Sequence, residues 1–342
     1  MPVARVRGPV AAALAVLLLV LLGAGCGEKD ETVSGSVEKR GIDLALDWFP
    51  NPDHVAIYQA IERGYYRQVG LDVKPRTPSD PSAPIKEVAA GRVDLAITYE
   101  PEVLLARQRG LPVVAVAALV QQPLTSLIAT GSSDVDAVKD LRGKRVGTAG
   151  IPYQSAYLQT ILDRASVPES SVKETNVGAS LLPAMLSGKV DATLGGFWNV
   201  EGIELRQRHK RPWVRPVNQL GVPDYDELVL VARESAVEDR RDDLRLFISA
   251  TARGANQARR APGEASRALL EANPDLKEKF TRASVRATIP ALFPEKRNQP
   301  WGYLDAVQWR NFGGWMVDNK LLDDLPDINA AITGDLLPGA GL

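Results

Sequence analysis

The sequence predicts an α/β protein of two lobes that face each other across a hinged cleft, followed by a helical tail. Three observations carry that reading. From position 42 onward, short apolar segments alternate with amphipathic segments of 8–13 residues, the order that gives helices between strands of mainly parallel sheets. One loop recurs: Ala90-Gly91-Arg92-Val93-Asp94 returns 97 residues later as Ser187-Gly188-Lys189-Val190-Asp191. In both copies a helix ends on Gly, which takes the left-handed turn freely, and a strand begins through Val-Asp. Two further segments, near 122–130 and 218–230, fall where the chain would cross between two such repeats.

Taken in order, strands are expected at 42–47, 71–74, 93–98 and 113–120, with helices at 54–66, 84–90 and 101–109 between them. A strand at 124–130 crosses to the second lobe. There the alternation resumes with strands at 145–148, 172–175 and 190–194 and helices at 153–165, 181–187 and 198–208. A strand at 228–232 follows the return crossing. Residues 238–322 are helical in character, broken at Pro262-Gly263, Asn273-Pro274, Pro290 and Pro294. This tail reads as packing on the first lobe, with Trp301, Trp309 and Trp315 as packing residues. The first lobe therefore takes 42–125 and 226–342, and the second 126–225.

Composition narrows the function classes. The 342 residues carry 41 Lys+Arg against 42 Asp+Glu, a net charge of −1, so the chain lacks the basic excess of a nucleic-acid binder. With one Cys and two His, no intrachain disulfide, CxxC pair or three-histidine metal site can form. The chain opens with Arg5 and Arg7, an unbroken apolar run of 13 residues from Val10 to Leu22, and Gly23-Ala24-Gly25-Cys26. This resembles a bacterial lipoprotein signal, in which Cys26 receives the lipid and becomes the mature N-terminus. Gly23 stands where such signals usually have Leu. The alternative is an uncleaved anchor, although 13 apolar residues fall short of the ~20 that span a bilayer. Residues 27–41 are polar and read as a flexible linker.

In open α/β sheets, ligands sit beyond the carboxyl ends of the strands. The five loops expected there carry Trp48, Phe49, Tyr99, Tyr153, Phe197, Trp198 and Tyr225, seven of the chain's 20 aromatic residues. Such a concentration points to a flat ligand held between aromatic faces and oriented by a few polar groups. The polar groups at hand are Asn51, Glu100, Asn199, Glu201 and Asp224, with no Arg in the same loops. Acceptors and carboxylates suit an amino-bearing or cationic heterocycle and repel an anion. Phe49 would point opposite to Trp48 if the strand persists, so at most one of them faces the cleft. His54 either begins the first helix or touches the ligand. Glu100 is either a contact or a solvent-facing carboxylate beside Pro101.

The segment Leu46-Asp47-Trp48-Phe49-Pro50-Asn51-Pro52-Asp53-His54, with Glu62-Arg63-Gly64-Tyr65-Tyr66 and Gly70-Leu71-Asp72-Val73, resembles the NMT1/THI5-like substrate-binding proteins of ABC importers. Gly196-Phe197-Trp198-Asn199 with Glu201, and Gly221-Val222-Pro223-Asp224-Tyr225, are similar to further motifs of that group, nearest to its pyrimidine-precursor binders of thiamine salvage. The resemblance implies a two-lobed periplasmic-binding fold of type II with two hinge crossovers. It also implies a monomeric receptor without a cofactor, which delivers its ligand to permease and ATPase subunits. The implied ligand is a formylaminopyrimidine or hydroxymethylpyrimidine. Trp48 with Tyr153 or Tyr225 would stack on the ring, and Asn51 and Glu201 would bond its edge. Riboflavin binders share the opening motifs and remain an alternative. Fungal synthases of the wider family depend on a cysteine-rich motif that has no counterpart after Cys26, so no enzymatic activity is expected.

Overall fold

The computed structural model describes residues 40–296 and 298–339, together with Met1. The expected export signal at 1–26, with Cys26, lies outside the described residues, as does the linker up to residue 39. The last two linker positions, Arg40 and Gly41, belong instead to the first strand. The Arg40 amide bonds the Gly70 carbonyl at 3.0 Å and draws the strand two residues further back than the apolar pattern indicates.

Ten strands form two five-stranded sheets: β1 (Arg40–Ala45), β2 (Leu71–Arg76), β3 (Leu95–Thr98), β4 (Val113–Val120), β5 (Thr125–Ala129), β6 (Arg145–Thr148), β7 (Lys173–Asn176), β8 (Ala192–Phe197), β9 (Trp213–Pro216) and β10 (Leu228–Arg233). The first sheet has the order β2-β1-β3-β10-β4 and the second β7-β6-β8-β5-β9. Each is parallel except for the strand next to its last member: β10 runs antiparallel to β3 and β4, and β5 runs antiparallel to β8 and β9. The two sheets are thus the same arrangement used twice. The chain passes between them twice, from β4 to β5 and from β9 to β10. All eight residues of β4 are buried, because helices cover both faces of its sheet.

The recurring loop does the same work in both lobes. Gly91 and Gly188 take φ of 69° and 71°. Asp94 accepts the Asp43 amide at 2.8 Å and returns its own N–H to the Asp43 carbonyl at 3.0 Å. Asp191 does likewise with Arg145, at 2.8 and 2.9 Å. Each Asp therefore clips the entry of its strand to the parallel neighbour, β1 in the first sheet and β6 in the second. Arg240 from the tail pairs with Asp94. The Arg145 guanidinium hydrogen-bonds Asp191 and holds its carboxyl below the usual range.

Boundaries differ from the sequence expectation in three informative places. The first helix is divided into a 3-10 turn at Pro52–His54, a helix at Val55–Glu62 and another at Tyr65–Gln68, because Gly64 breaks it at φ 66°. The helix expected from 198 starts at Glu201; β8 runs on to Phe197, and a turn at 198–200 intervenes. Strand β9 was not expected at all. Only Val214 of its four residues is buried, so it shows little apolar pattern.

The tail packs chiefly on the first lobe. Helix Arg241–Arg260 lies against Val55–Glu62 in backbone contact, since a Cβ on Gly254 would come within 2.1 Å of the Ala56 carbonyl oxygen. Tyr66 and Thr251 share a buried hydrogen bond of 2.6 Å across the same seam. Trp309 is fully buried and Trp301 nearly so, as packing residues should be.

Candidate ligand-binding cleft

A cavity opens between the carboxyl ends of the two sheets. The ends of β1 and β3 bring Asp47, Trp48, Asn51 and Tyr99 from the first lobe. The ends of β6 and β8 bring Ala149, Ile151, Tyr153, Gln154, Phe197 and Glu201 from the second. Five residues expected from sequence meet here: Trp48, Asn51, Tyr99, Tyr153 and Glu201.

The aromatic walls come from both lobes. Trp48 is half-buried on the cavity, while Phe49 turns outward, 61% exposed, and meets Trp48 edge-on at 6.3 Å. Tyr99 and Tyr153 face each other across the cleft at 6.2 Å. Behind them the rings continue through Tyr157 to Tyr225 and Phe312, at 5.2, 5.7 and 4.9 Å. This ladder fixes the inner tyrosines from the tail side. Burial drives the Tyr99 and Tyr153 phenols well above their usual range, so both stay protonated.

The two carboxylates on the wall, Asp47 and Glu201, are acceptors. Asp47 takes the Tyr99 hydroxyl on Oδ2 at 2.9 Å and His54 Nε2 on Oδ1 at 2.8 Å. Glu201 takes the Phe197 amide on Oε2 at 2.7 Å, and burial pushes its carboxyl up. Gln154 reaches the Ala149 amide at 2.8 Å. It passes so close to Gly195 that a Cβ there would lie 2.4 Å from its amide nitrogen. Asn51 lines the cavity with a side chain already engaged: Oδ1 caps the Asp53 amide at 2.8 Å and Nδ2 donates to the Phe49 carbonyl at 3.1 Å. No Lys, Arg or His is among the lining residues.

The other expected residues lie away from this wall. His54 is fully buried behind Asp47. Glu100 is also fully buried, not solvent-facing; it accepts the Asp226 amide at 2.7 Å and Gln308 Nε2 at 2.9 Å. Trp198 turns to the crossing and donates to the Pro123 carbonyl at 3.2 Å. Asp224 is exposed and accepts from Asn218 at 2.7 Å. Tyr225 sits in the ring ladder with its hydroxyl on Glu227 at 2.9 Å. Asn199 joins the lobes: its Nδ2 donates to Asp53 and Thr288, both at 2.6 Å. Sequence reasoning passed over Asp47 and Gln154 as polar wall residues. The available signal for Asp47 was an acid immediately past the first apolar strand, at the place where strand ends meet a ligand.

Two mixed sheets joined by two crossings, with a cavity between their strand ends, have the architecture of the periplasmic binding proteins. A Candida albicans protein described as exhibiting the generic periplasmic binding protein fold matches with a TM-score of 0.66 at 18% identity, over 88% of this chain and 99% of that one. The ligand binding component of an ABC-type import system from Staphylococcus aureus gives 0.69 at 11% identity, over 88% and 99%. The chain belongs to the NMT1/THI5-like family, whose model matches residues 51–265. It is 35% identical to the formylaminopyrimidine-binding protein of Halalkalibacterium halodurans, over 91% of this chain and 94% of that protein. A 4-amino-5-hydroxymethyl-2-methylpyrimidine phosphate synthase of Legionella pneumophila is 26% identical over 88% and 93%.

Proposed function

We propose that this protein is the extracytoplasmic substrate-binding component of an ABC importer, capturing a thiamine pyrimidine precursor between its lobes and passing it to a permease. One observation carries the reading: a cavity between the lobes walled by Trp48, Tyr99 and Tyr153, with Asp47 and Glu201 as acceptors and no cationic side chain. Such a wall suits a flat ring bearing an amino group. The similarity to a formylaminopyrimidine-binding protein supports the same ligand class. Binding contacts from both lobes favour the closed arrangement, so capture shifts the population toward closure. No bond of the ligand need be broken, which separates this role from that of the related synthases.

Titration calorimetry of the purified protein with formylaminopyrimidine, hydroxymethylpyrimidine, thiamine and riboflavin tests the assignment. Pyrimidine binding is expected, weakened at least about tenfold in Glu201→Gln by loss of a charged acceptor. Riboflavin binding alone would replace the ligand, and silence from all four would overturn the cargo.

The N-terminal pattern supports tethering to the outer face of the cell membrane through lipid on Cys26. Labelled palmitate is expected to enter the wild-type protein in bacterial cells and not Cys26→Ser. Equal labelling of the two would rule the anchor out.

A further inference from the structure

We propose that Asp47, held rigid by His54 and Tyr99, is the residue that selects an exocyclic amino group over a ring carbonyl; this rests on the pyrimidine reading above and refines it. Asp47 is only 1% exposed, yet it borders the cavity. Its environment fixes what it can offer. The Asn51 amide donates to His54 Nδ1 at 3.2 Å. That nitrogen must therefore carry a lone pair, which places the ring proton on Nε2, 2.8 Å from Asp47 Oδ1. His54 then accepts on Nδ1 and faces Asp47 through Nε2. The second oxygen accepts the Tyr99 hydroxyl.

Both oxygens of Asp47 are thus engaged by donors, His54 Nε2 and the Tyr99 hydroxyl, which fixes the carboxyl group in place. An N–H from a ligand completes its hydrogen bonds. A ligand carbonyl at the same place sets lone pair against lone pair in a buried site, where an unmade hydrogen bond costs most. Glu201 on the facing lobe is a second acceptor, so nothing on the wall compensates a carbonyl with a cation. The tight turn at Asn51 is what makes the selection possible, because it presents the amide that sets the His54 tautomer.

The test uses two probes that carry an amino group or a ring carbonyl at this place, 4-amino-2-methylpyrimidine and 2-methylpyrimidin-4-one, titrated into the intact protein. Wild type is expected to bind the amine at least about 100-fold tighter. In Asp47→Asn, whose amide can turn either face inward, the ratio is expected to fall below about tenfold. Comparable binding of both probes by wild type would overturn the inference while leaving the pyrimidine reading intact. So would a full ratio in folded Asp47→Asn. Binding of neither probe overturns both. Should Asp47→Asn fail to fold, Tyr99→Phe carries the test. Freeing one oxygen is expected to cut the ratio at least about threefold in the folded variant, and an unchanged ratio again overturns the inference.

Discussion

Glu227→Gln is expected to lower the unfolding free energy by about 3 kcal/mol at about pH 8. Glu227 is fully buried at the start of β10, and it joins the two crossings between the lobes. Its Oε2 accepts the Leu124 amide at 2.6 Å, the Thr125 amide at 2.7 Å and the Tyr225 hydroxyl at 2.9 Å. Its Oε1 accepts Thr125 Oγ1 at 2.8 Å. One side chain thereby holds the outgoing and returning strands at a fixed spacing. A glutamine keeps its carbonyl on the three donors at Oε2 and turns its NH2 to the Thr125 hydroxyl, but it loses the charge that strengthens all four hydrogen bonds. Urea unfolding of the variant measures the effect. A loss under about 0.5 kcal/mol would mean that the crossings hold together by packing alone.

The second large effect is a fall in stability with rising pH. Burial pushes the carboxyls of Asp53, Glu102 and Asp226 to about 7 and that of Glu227 to about 6. In the unfolded chain the same acids ionise near about pH 4. The folded state therefore binds more protons than the unfolded one between these limits. The stability is complete below the unfolded values and is lost as pH rises through the folded ones, at about 1.4 kcal/mol per pH unit for each acid still protonated. Asp80 and Asp191, whose carboxyls are lowered by their partners, oppose this only in stronger acid.

Asp53 shows the physical cause. It faces His54, Asn199, Thr288, Asp47 and Glu201, with no Lys or Arg among the groups that shift it. Its Oδ2 and the Oδ1 of Asn199 are both buried without a protein partner, although the two side chains already share a hydrogen bond of 2.6 Å. A single proton on Asp53 supplies the donor that this pair lacks. The melting temperature is expected to drop by at least about 5 °C between about pH 5.5 and pH 8, with a smaller drop in Asp53→Asn. A flat profile in wild type would mean that these acids are ionised in the native state.

Much of the architecture was legible because strand alternation and glycine turns are local signals. The equivalence of the two Val-Asp loops was legible for the same reason, and it extends to equivalent hydrogen bonds. The cavity was legible through one topological rule, that ligands lie past strand ends. Roles within the loops were not. In Phe197-Trp198-Asn199-Val200-Glu201, the turn after β8 sends Phe197 and Glu201 to the cavity while Trp198 and Asn199 go to the crossing and the opposite lobe. A motif read as one unit is thus divided by backbone direction, which composition does not encode. Likewise, nothing local marks His54 as facing the back of Asp47 instead of the ligand, since only the 3-10 turn at Pro52–His54 aims its ring.

The strand order of the first sheet has a consequence for how the chain folds. β10 lies between β3 and β4, although more than a hundred residues separate it from β4 in sequence. The second sheet, built from β5 to β9, is contiguous and needs no later part of the chain. A chain that emerges N-terminus first therefore completes one sheet while the other still lacks the strand between β3 and β4. Pairing over such distances is slow. In that interval β3 and β4 each present an open, apolar edge, so the insertion of β10 is the step at which this protein is most exposed to aggregation.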